Sequence, residues 1–197
     1  MTKDLFQHIN QFVKVEEEEF IEMISYFEQE VFRKKDLVMH LGEQHPKEYF
    51  VIMGCLHMYF IDPQGIEHTV QFGLQKWWIA DYLALQKKQP AEFYIQAVEN
   101  TQLYSITATK REKLLAAFPK MESYFRTVYQ IAYGAYQTRM KYILSYSKED
   151  IYLQFKDAFP DFVNSVPQYL IASYLGLSAE YVSKLRRKIT SWTCSSF

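Results

Sequence analysis

The hydrophobic pattern changes near Thr107 from strand-like to helical, and this change limits the folds open to the chain. Before Thr107, short runs rich in β-branched and aromatic residues alternate with turn residues at Gly42, Gly54 and the segment "DPQG". After it, apolar residues recur every three or four positions. The order predicts an α+β fold with an N-terminal antiparallel β-roll or jelly roll. The strand-like runs are "VFRKKDLVM", "YFVIM", "CLHMYFI", "EHTVQFG", "YIQAV" and "QLYSI", the third and fourth forming a hairpin around "DPQG".

A long helix is predicted to follow Pro119, because residues 120–146 contain no proline. About 27 helical residues extend roughly 40 Å, too far to hide an apolar stripe on a small barrel. The sequence therefore favours the seam of a parallel two-stranded dimer, with packing inside the chain as the alternative. The stripe has a spacing of three and four residues and contains Phe125, Val128, Ala132 and Ala135.

Other helix starts follow from capping patterns. Residues 5–28 are predicted to form one helix, and three Ser/Thr residues precede an acidic or amide residue by three positions. These pairs are Thr109 with Glu112, Ser147 with Asp150 and Ser165 with Gln168. The predicted domains are an effector-type β-roll at 1–118, a dimerisation helix at 119–146 and a DNA-binding domain at 147–197.

Composition excludes several classes of protein. No apolar run is long enough to span a membrane and no signal-peptide core is present, so a cytoplasmic location is expected. Two cysteines, Cys55 and Cys194, make neither a disulfide framework nor an iron–sulfur site. The sequence contains no His-x-His pair and nothing that resembles a nucleophile–base arrangement, so it does not indicate an enzyme. We expect no metal and no cofactor.

The segment "IASYLGLSAEYVSKLRRKI" at 171–189 predicts a helix-turn-helix. Ala172 is the small residue of the first helix, Gly176 permits the turn, and Ser178 caps the second helix. Residues 166–192 contain four cations and one carboxylate, a local charge of +3 in a chain of net charge −1. These residue types contact phosphates and base edges, so double-stranded DNA is the predicted partner. The predicted DNA-binding residues are Gln168, Ser178, Ala179, Glu180, Ser183, Lys184, Arg187 and Lys188.

The order of these parts resembles the cyclic-AMP receptor protein / fumarate-nitrate regulator (Crp/Fnr) family of bacterial transcription factors. The resemblance covers nearly the whole chain and implies a homodimer that binds promoters, with RNA polymerase as a further partner. The family commonly reads bases with an Arg-Glu pair and a later Arg, where this chain has Ala179, Glu180 and Lys184. Because lysine lacks the bidentate guanidinium, a different operator is expected. After Ile189 only "TSWTCSSF" follows, so the family's wing is expected to be truncated.

The same resemblance bears on effector binding. Family members that bind cyclic nucleotides carry a Gly-Glu pair and, ten residues later, an Arg-Ser pair. In an alignment without gaps, this chain has Ala80-Asp81 in place of the first pair and Ala91-Glu92 in place of the second. Loss of the phosphate-binding arginine and gain of a carboxylate predict no response to cyclic AMP.

Two questions stay open from the sequence. Trp77 and Trp78 either line a pocket for an unknown small-molecule effector or pack in the core. The alternative function is a ligand-sensing or scaffold module whose DNA-binding domain has degenerated.

Overall fold

The computed structural model describes residues 2–194, with the backbone alone for Thr2 and residues 189–194. The chain forms two compact units. Unit 1 contains the residues up to Ile61 together with Val70–Ala132, and unit 2 contains Asp62–Thr69 and the residues from Tyr133 onward. Among the described residues, no helix is both long enough and apolar enough to cross a membrane.

Strands and helices follow one another as the sequence pattern indicates. Within residues 2–194, two helices and one 3-10 turn precede the strands, a short helix interrupts them, and six helices follow. The elements are α1 (Thr2–Asn10), α2 (Glu17–Met23), the 3-10 turn (Ile24–Tyr26), β1 (Glu28–Phe32), β2 (Leu37–Met39), β3 (Lys47–Met53), β4 (Leu56–Ile61), β5 (Glu67–Gly73), β6 (Trp78–Ile79), α3 (Tyr82–Lys87), β7 (Tyr94–Ala97), β8 (Thr101–Thr107), α4 (Ala108–Ala117), α5 (Lys120–Ser145), α6 (Lys148–Ala158), α7 (Pro160–Ser165), α8 (Gln168–Leu175) and α9 (Ala179–Cys194).

The strands form two four-stranded sheets in the described part of the chain, which confirms the antiparallel roll. One has the order β1-β8-β3-β6 and the other β2-β7-β4-β5. The predicted hairpin is β4–β5, where the amide of Gly65 donates to the carbonyl of Asp62 at 2.9 Å. Gly65 has a φ of +81°, a conformation that glycine adopts without a steric penalty. Apolar side chains between the sheets include Met39, Val51, Leu56, Met58, Ile95 and Leu103.

A second apolar core in unit 1 joins one sheet to the helices. Trp78 lies within it, with its ring centroid 5.4 Å from those of Phe50 and Phe125. The indole Nε1 of Trp78 donates to the Tyr124 hydroxyl at 2.8 Å, and the same hydroxyl lies 2.8 Å from Nδ1 of His8. Because Trp78 is only 4% exposed, its role is packing, whereas Trp77 remains partly exposed.

The long helix α5 begins directly after Pro119, as predicted, but the stripe assignment needs correction. Phe125 and Val128 are buried in the core of their own unit, so they cannot form a dimer seam. Ala132 is half-buried and Ala135 is exposed. The physical reason is that Met121 and Tyr124, one helical turn before Phe125 and Val128, are buried in the same core, so this side of α5 packs against the sheet.

Three helix boundaries also differ from the sequence-based expectation. The single helix at 5–28 is two helices, because Glu16 and Glu19 form a capping box that starts α2. Thr107, rather than Thr109, caps α4 by accepting the Lys110 amide. Ser165 ends α7 and donates to the Phe162 carbonyl, so it does not cap α8. The Ser147 cap of α6 is confirmed, with the Asp150 amide donating to its hydroxyl at 3.2 Å.

Unit 2 is built from helices around an aromatic cluster. Phe155 of α6 lies 5.9 Å from Phe162 of α7 and 5.7 Å from Tyr174 of α8, measured between ring centroids. Ile151 and Tyr152 are buried on the same helix. These contacts hold α6, α7 and α8 together, as expected for a small helical domain.

Acid should destabilise unit 1 through His8. Burial, with a contribution from Lys76, lowers the pKa of His8 to about 4 from its usual 6.5. Between these two values the unfolded chain binds a proton that the folded chain does not, so stability falls as the pH falls through this window. We expect His8→Gln to reduce this pH dependence, measured as the change in urea midpoint between neutral pH and about pH 4. Equal losses of stability in both proteins over that range would contradict the role given to His8.

Candidate nucleic-acid interface and effector cassette

The turn between α8 and α9 has the geometry of a helix-turn-helix. Gly176 ends α8 with a φ of +69°, in the left-handed region that favours glycine. The Leu177 amide donates to the Ala172 carbonyl at 2.8 Å, and the Tyr181 amide donates to the Ser178 hydroxyl at 3.2 Å. The predicted turn and N-terminal cap are therefore confirmed.

One side of each helix in the motif is buried. On α9 this side contains Val182 and Leu185, spaced three residues apart. On α8 and in the turn, the buried side chains are Leu170, Ile171, Ala172, Leu175 and Leu177. This packing fixes which side of α9 is left for solvent.

The other side of α9 is polar and exposed. Positions three or four residues apart on a helix share a face, and this spacing brings Glu180, Ser183, Lys184, Arg187 and Lys188 to one side of α9. Ser183 is half-buried and the other four are exposed. Ser178 and Ala179 are exposed at the start of the helix, and Gln168 is half-buried in the first turn of α8.

An ion pair joins the exposed side of α9 to α6. The Lys188 Nζ lies 3.1 Å from Oε1 of Glu149 and 3.5 Å from its Oε2. Sequence reasoning missed Glu149 because it lies 39 residues away and in no motif.

Polar contacts within unit 2 also hold α8. The Arg139 guanidinium lies 4.1 Å from the centroid of the Tyr174 ring, and its Nε donates to the Tyr174 carbonyl at 3.0 Å. The Ser173 hydroxyl accepts from the Thr69 amide at 2.8 Å and donates to the Glu67 carbonyl at 3.1 Å. Burial lowers the pKa of Arg139. The first helix of the motif is thus fixed by side chains that no local signal reveals.

The segment 80–92, which contains Ala80-Asp81 and Ala91-Glu92 and is called the effector cassette, has a buried carboxylate that is hydrogen-bonded within the segment. Asp81, only 2% exposed, accepts from the Ala84 amide at 3.1 Å and from the Glu92 amide at 2.8 Å. Ala80 and Ala91 are buried, whereas the exposed Glu92 carboxylate accepts from Nε2 of Gln89 at 3.0 Å. The structure therefore brings the Asp81 carboxylate to the Glu92 backbone, while the Glu92 carboxylate lies at the surface.

A buried ion pair lies beside the cassette helix α3. Glu48 contacts Arg111 and accepts from the Tyr129 hydroxyl at 2.7 Å. The Tyr82 ring packs against the Tyr129 ring at 5.1 Å, and the Tyr82 hydroxyl has no hydrogen-bond partner among the described residues. Burial raises the pKa of Glu48, while Arg111 acts in the opposite direction. Sequence reasoning did not identify this cluster, since its members come from four separate elements.

No metal centre is formed within residues 2–194, where no three His, Cys, Asp or Glu side chains could together hold an ion. Cys55 is buried, and burial raises the pKa of its thiol to about 12. The thiol is therefore protonated at neutral pH, which makes it a poor nucleophile.

Comparison with known proteins identifies the fold. Residues 29–118 match the family model of the cyclic nucleotide-binding domain. No curated protein sequence matches the chain. The FixK2 structure from Bradyrhizobium japonicum is similar with a TM-score of 0.67 and 16% identity, over 85% of this chain and 86% of that one.

Two further solved structures show the same similarity. A CooA mutant from Carboxydothermus hydrogenoformans gives a TM-score of 0.67 at 14% identity, over 95% of this chain and 84% of that one. A protein from Eubacterium rectale, described as a regulator of the Crp/Fnr family, gives a TM-score of 0.68 at 13% identity, over 90% and 84%. Residues 29–118 thus match the cyclic nucleotide-binding domain, and the chain shares the fold of these solved structures, one of which is described as a Crp/Fnr family member.

Proposed function

We propose that this protein is a DNA-binding transcription regulator of the Crp/Fnr type that acts as a homodimer and does not respond to cyclic AMP. The observation that carries the proposal is the exposed polar side of α9, opposite a buried side held on α8. A helix of this kind can enter the major groove with its first turns at the base edges. RNA polymerase is a further proposed partner, because the chain resembles regulators that act at promoters.

The exposed side chains of α9 divide into two roles. Glu180 can accept from the amino group of cytosine, and Lys184 can donate to guanine. Arg187, one turn further along, can bind phosphate and thereby position the helix without reading sequence. Base recognition is thus assigned to the first half of α9, within the part whose side chains are described.

The dimer is assigned to a different side of α5 from the predicted stripe. Ile131 is 55% exposed on α5, so its apolar side chain is accessible to a partner helix. Thr127 lies four residues before Ile131, Gly134 lies three residues after it, and Thr138 lies four residues after Gly134. This alternation of three and four is the spacing of a coiled-coil seam. Small residues there permit two helices to approach closely. Ala135, which belongs to the predicted dimer stripe, is exposed beside these residues and stays assigned to the seam.

The cassette geometry argues against cyclic nucleotides. Asp81 already satisfies the amides of Ala84 and Glu92 with its own carboxylate. Ala91 stands where the family resemblance requires an arginine, and Glu92 where it requires a serine, so a cyclic phosphate would lose its arginine partner and gain a neighbouring carboxylate. Bringing like charges together in a poorly solvated site is unfavourable.

Substitutions on α9 should separate base reading from phosphate binding. Lys184→Ala or Glu180→Ala should change the preferred sequence, each at a cost of about 1–3 kcal/mol on the selected site. Arg187→Ala should weaken binding to all sequences and reduce the salt slope by about one. Fluorescence anisotropy on sites selected from genomic fragments measures both effects. Lys113→Ala, on the exposed surface of α4, is the matched control. Unchanged affinity and preference in all three α9 variants would refute the assigned face.

Charge at Ile131 should disrupt the dimer. Ile131→Lys places an ammonium at the centre of the assigned seam, so we expect a monomer by analytical ultracentrifugation and weaker binding to paired half-sites about 34 Å apart. Gln130→Lys adds the same charge to an exposed neighbouring position and should leave the dimer intact. A dimer that survives Ile131→Lys unchanged would exclude this seam.

Calorimetry tests the cassette assignment. Titration of the protein with cyclic AMP or cyclic GMP should give no binding heat at sub-millimolar concentrations, because the phosphate has no cationic partner. Even a few kcal/mol of lost interaction removes orders of magnitude of affinity. A dissociation constant in the micromolar range for either nucleotide would overturn this part of the proposal.

A further inference from the structure

The Glu149–Lys188 ion pair places a carboxylate beside the proposed DNA-binding face. Glu149 is the second residue of α6, and the Ser147 cap fixes the start of that helix: the Ser147 hydroxyl accepts the Asp150 amide at 3.2 Å. The same hydroxyl lies 2.6 Å from Oδ2 of Asp150, so Asp150 is engaged with the cap while Glu149 reaches Lys188. Glu149 is thus held in position by its helix.

Stability does not explain this pair well. The side chains of Lys188 and Glu149 are 53% and 40% exposed, respectively. Exposed ion pairs of this kind contribute little to folding, since water and salt screen them. The pair does, however, use the cation that lies one residue beyond Arg187 on the exposed side of α9.

A carboxylate and a phosphate compete for the same ammonium group. In sequence-independent DNA binding, each lysine that neutralises a phosphate releases about one counterion and increases the salt dependence accordingly. While Lys188 is paired with Glu149, it releases none, and the Glu149 carboxylate also repels a nearby phosphate. The base-reading positions Glu180 and Lys184 lie one to two turns earlier on α9 and keep their own contacts.

We propose that Glu149 limits sequence-independent DNA binding by competing with DNA phosphate for Lys188. This inference rests on the proposed function, and it makes Glu149 a residue that sets the sequence-independent affinity although it touches no base. Since a genome offers a vast excess of non-specific sites, the sequence-independent affinity sets how tightly those sites hold the protein.

The test compares four variants of the full chain on a random-sequence duplex across a salt series, by fluorescence anisotropy. Glu149→Gln removes the competing carboxylate, and Asp157→Asn removes one exposed charge from the other end of α6 as the matched control. Lys188→Gln and the double variant Glu149→Gln/Lys188→Gln complete the cycle. Urea unfolding of each variant shows whether the fold is retained.

Glu149→Gln should bind the random duplex about two- to fivefold more tightly than the wild type, the range expected for freeing one exposed ion pair. Its salt dependence should steepen by about one counterion, whereas Asp157→Asn should leave the slope unchanged. In the Lys188→Gln background the gain from Glu149→Gln should disappear, because the contested cation is gone.

Two results would overturn the inference while leaving the proposed function in place. The first is a wild type that binds DNA and a Glu149→Gln variant indistinguishable from Asp157→Asn. The second is a gain from Glu149→Gln that persists in full without Lys188. Failure of the wild type and all four variants to bind any duplex in dilute buffer would instead reject the proposed function, and this inference with it.

Discussion

The Tyr124 hydroxyl is the contact on which the arrangement of unit 1 depends. It accepts from the Trp78 indole and lies at hydrogen-bond distance from His8, so it joins α5, β6 and α1 at one buried point. A buried hydroxyl without partners costs about 1–3 kcal/mol, so each of the three elements restrains the others. Ala80 and Asp81 follow β6 directly, and their position in the roll is therefore set by the same contact.

The buried carboxylates of unit 1 are both satisfied by groups of the chain itself. Asp81 uses two backbone amides, and Glu48 uses Arg111 and the Tyr129 hydroxyl. A buried anion is tolerated only when it is paired or hydrogen-bonded, so each set of donors is committed to its own carboxylate. An incoming anion would have to displace one of these, and the alanine side chains at positions 80 and 91 supply no charge to offset that cost.

Features with a local cause could be predicted from the sequence, and features with a distant cause could not. The Gly65 turn of the β4–β5 hairpin, the Gly176 turn and the Ser147 and Ser178 caps depend on neighbouring residues, and the structure confirms them. The β6 strand of two residues and the six-residue α3 are too short for any periodicity to show. The apolar stripe of α5 was real, but spacing alone cannot say which partner buries Phe125.

The charge distribution decides how such a protein can bind DNA. With a net charge of −1, the chain as a whole has little long-range attraction to a polyanion. In the proposed function, binding then comes from the few cations on α9, at distances where side-chain geometry matters. Lys188 is already engaged by Glu149, and Arg139 is held against Tyr174. In the proposed function, the DNA contacts of α9 are concentrated near Lys184 and Arg187: Arg187 would supply affinity for phosphate, and Lys184 would supply the dependence on sequence.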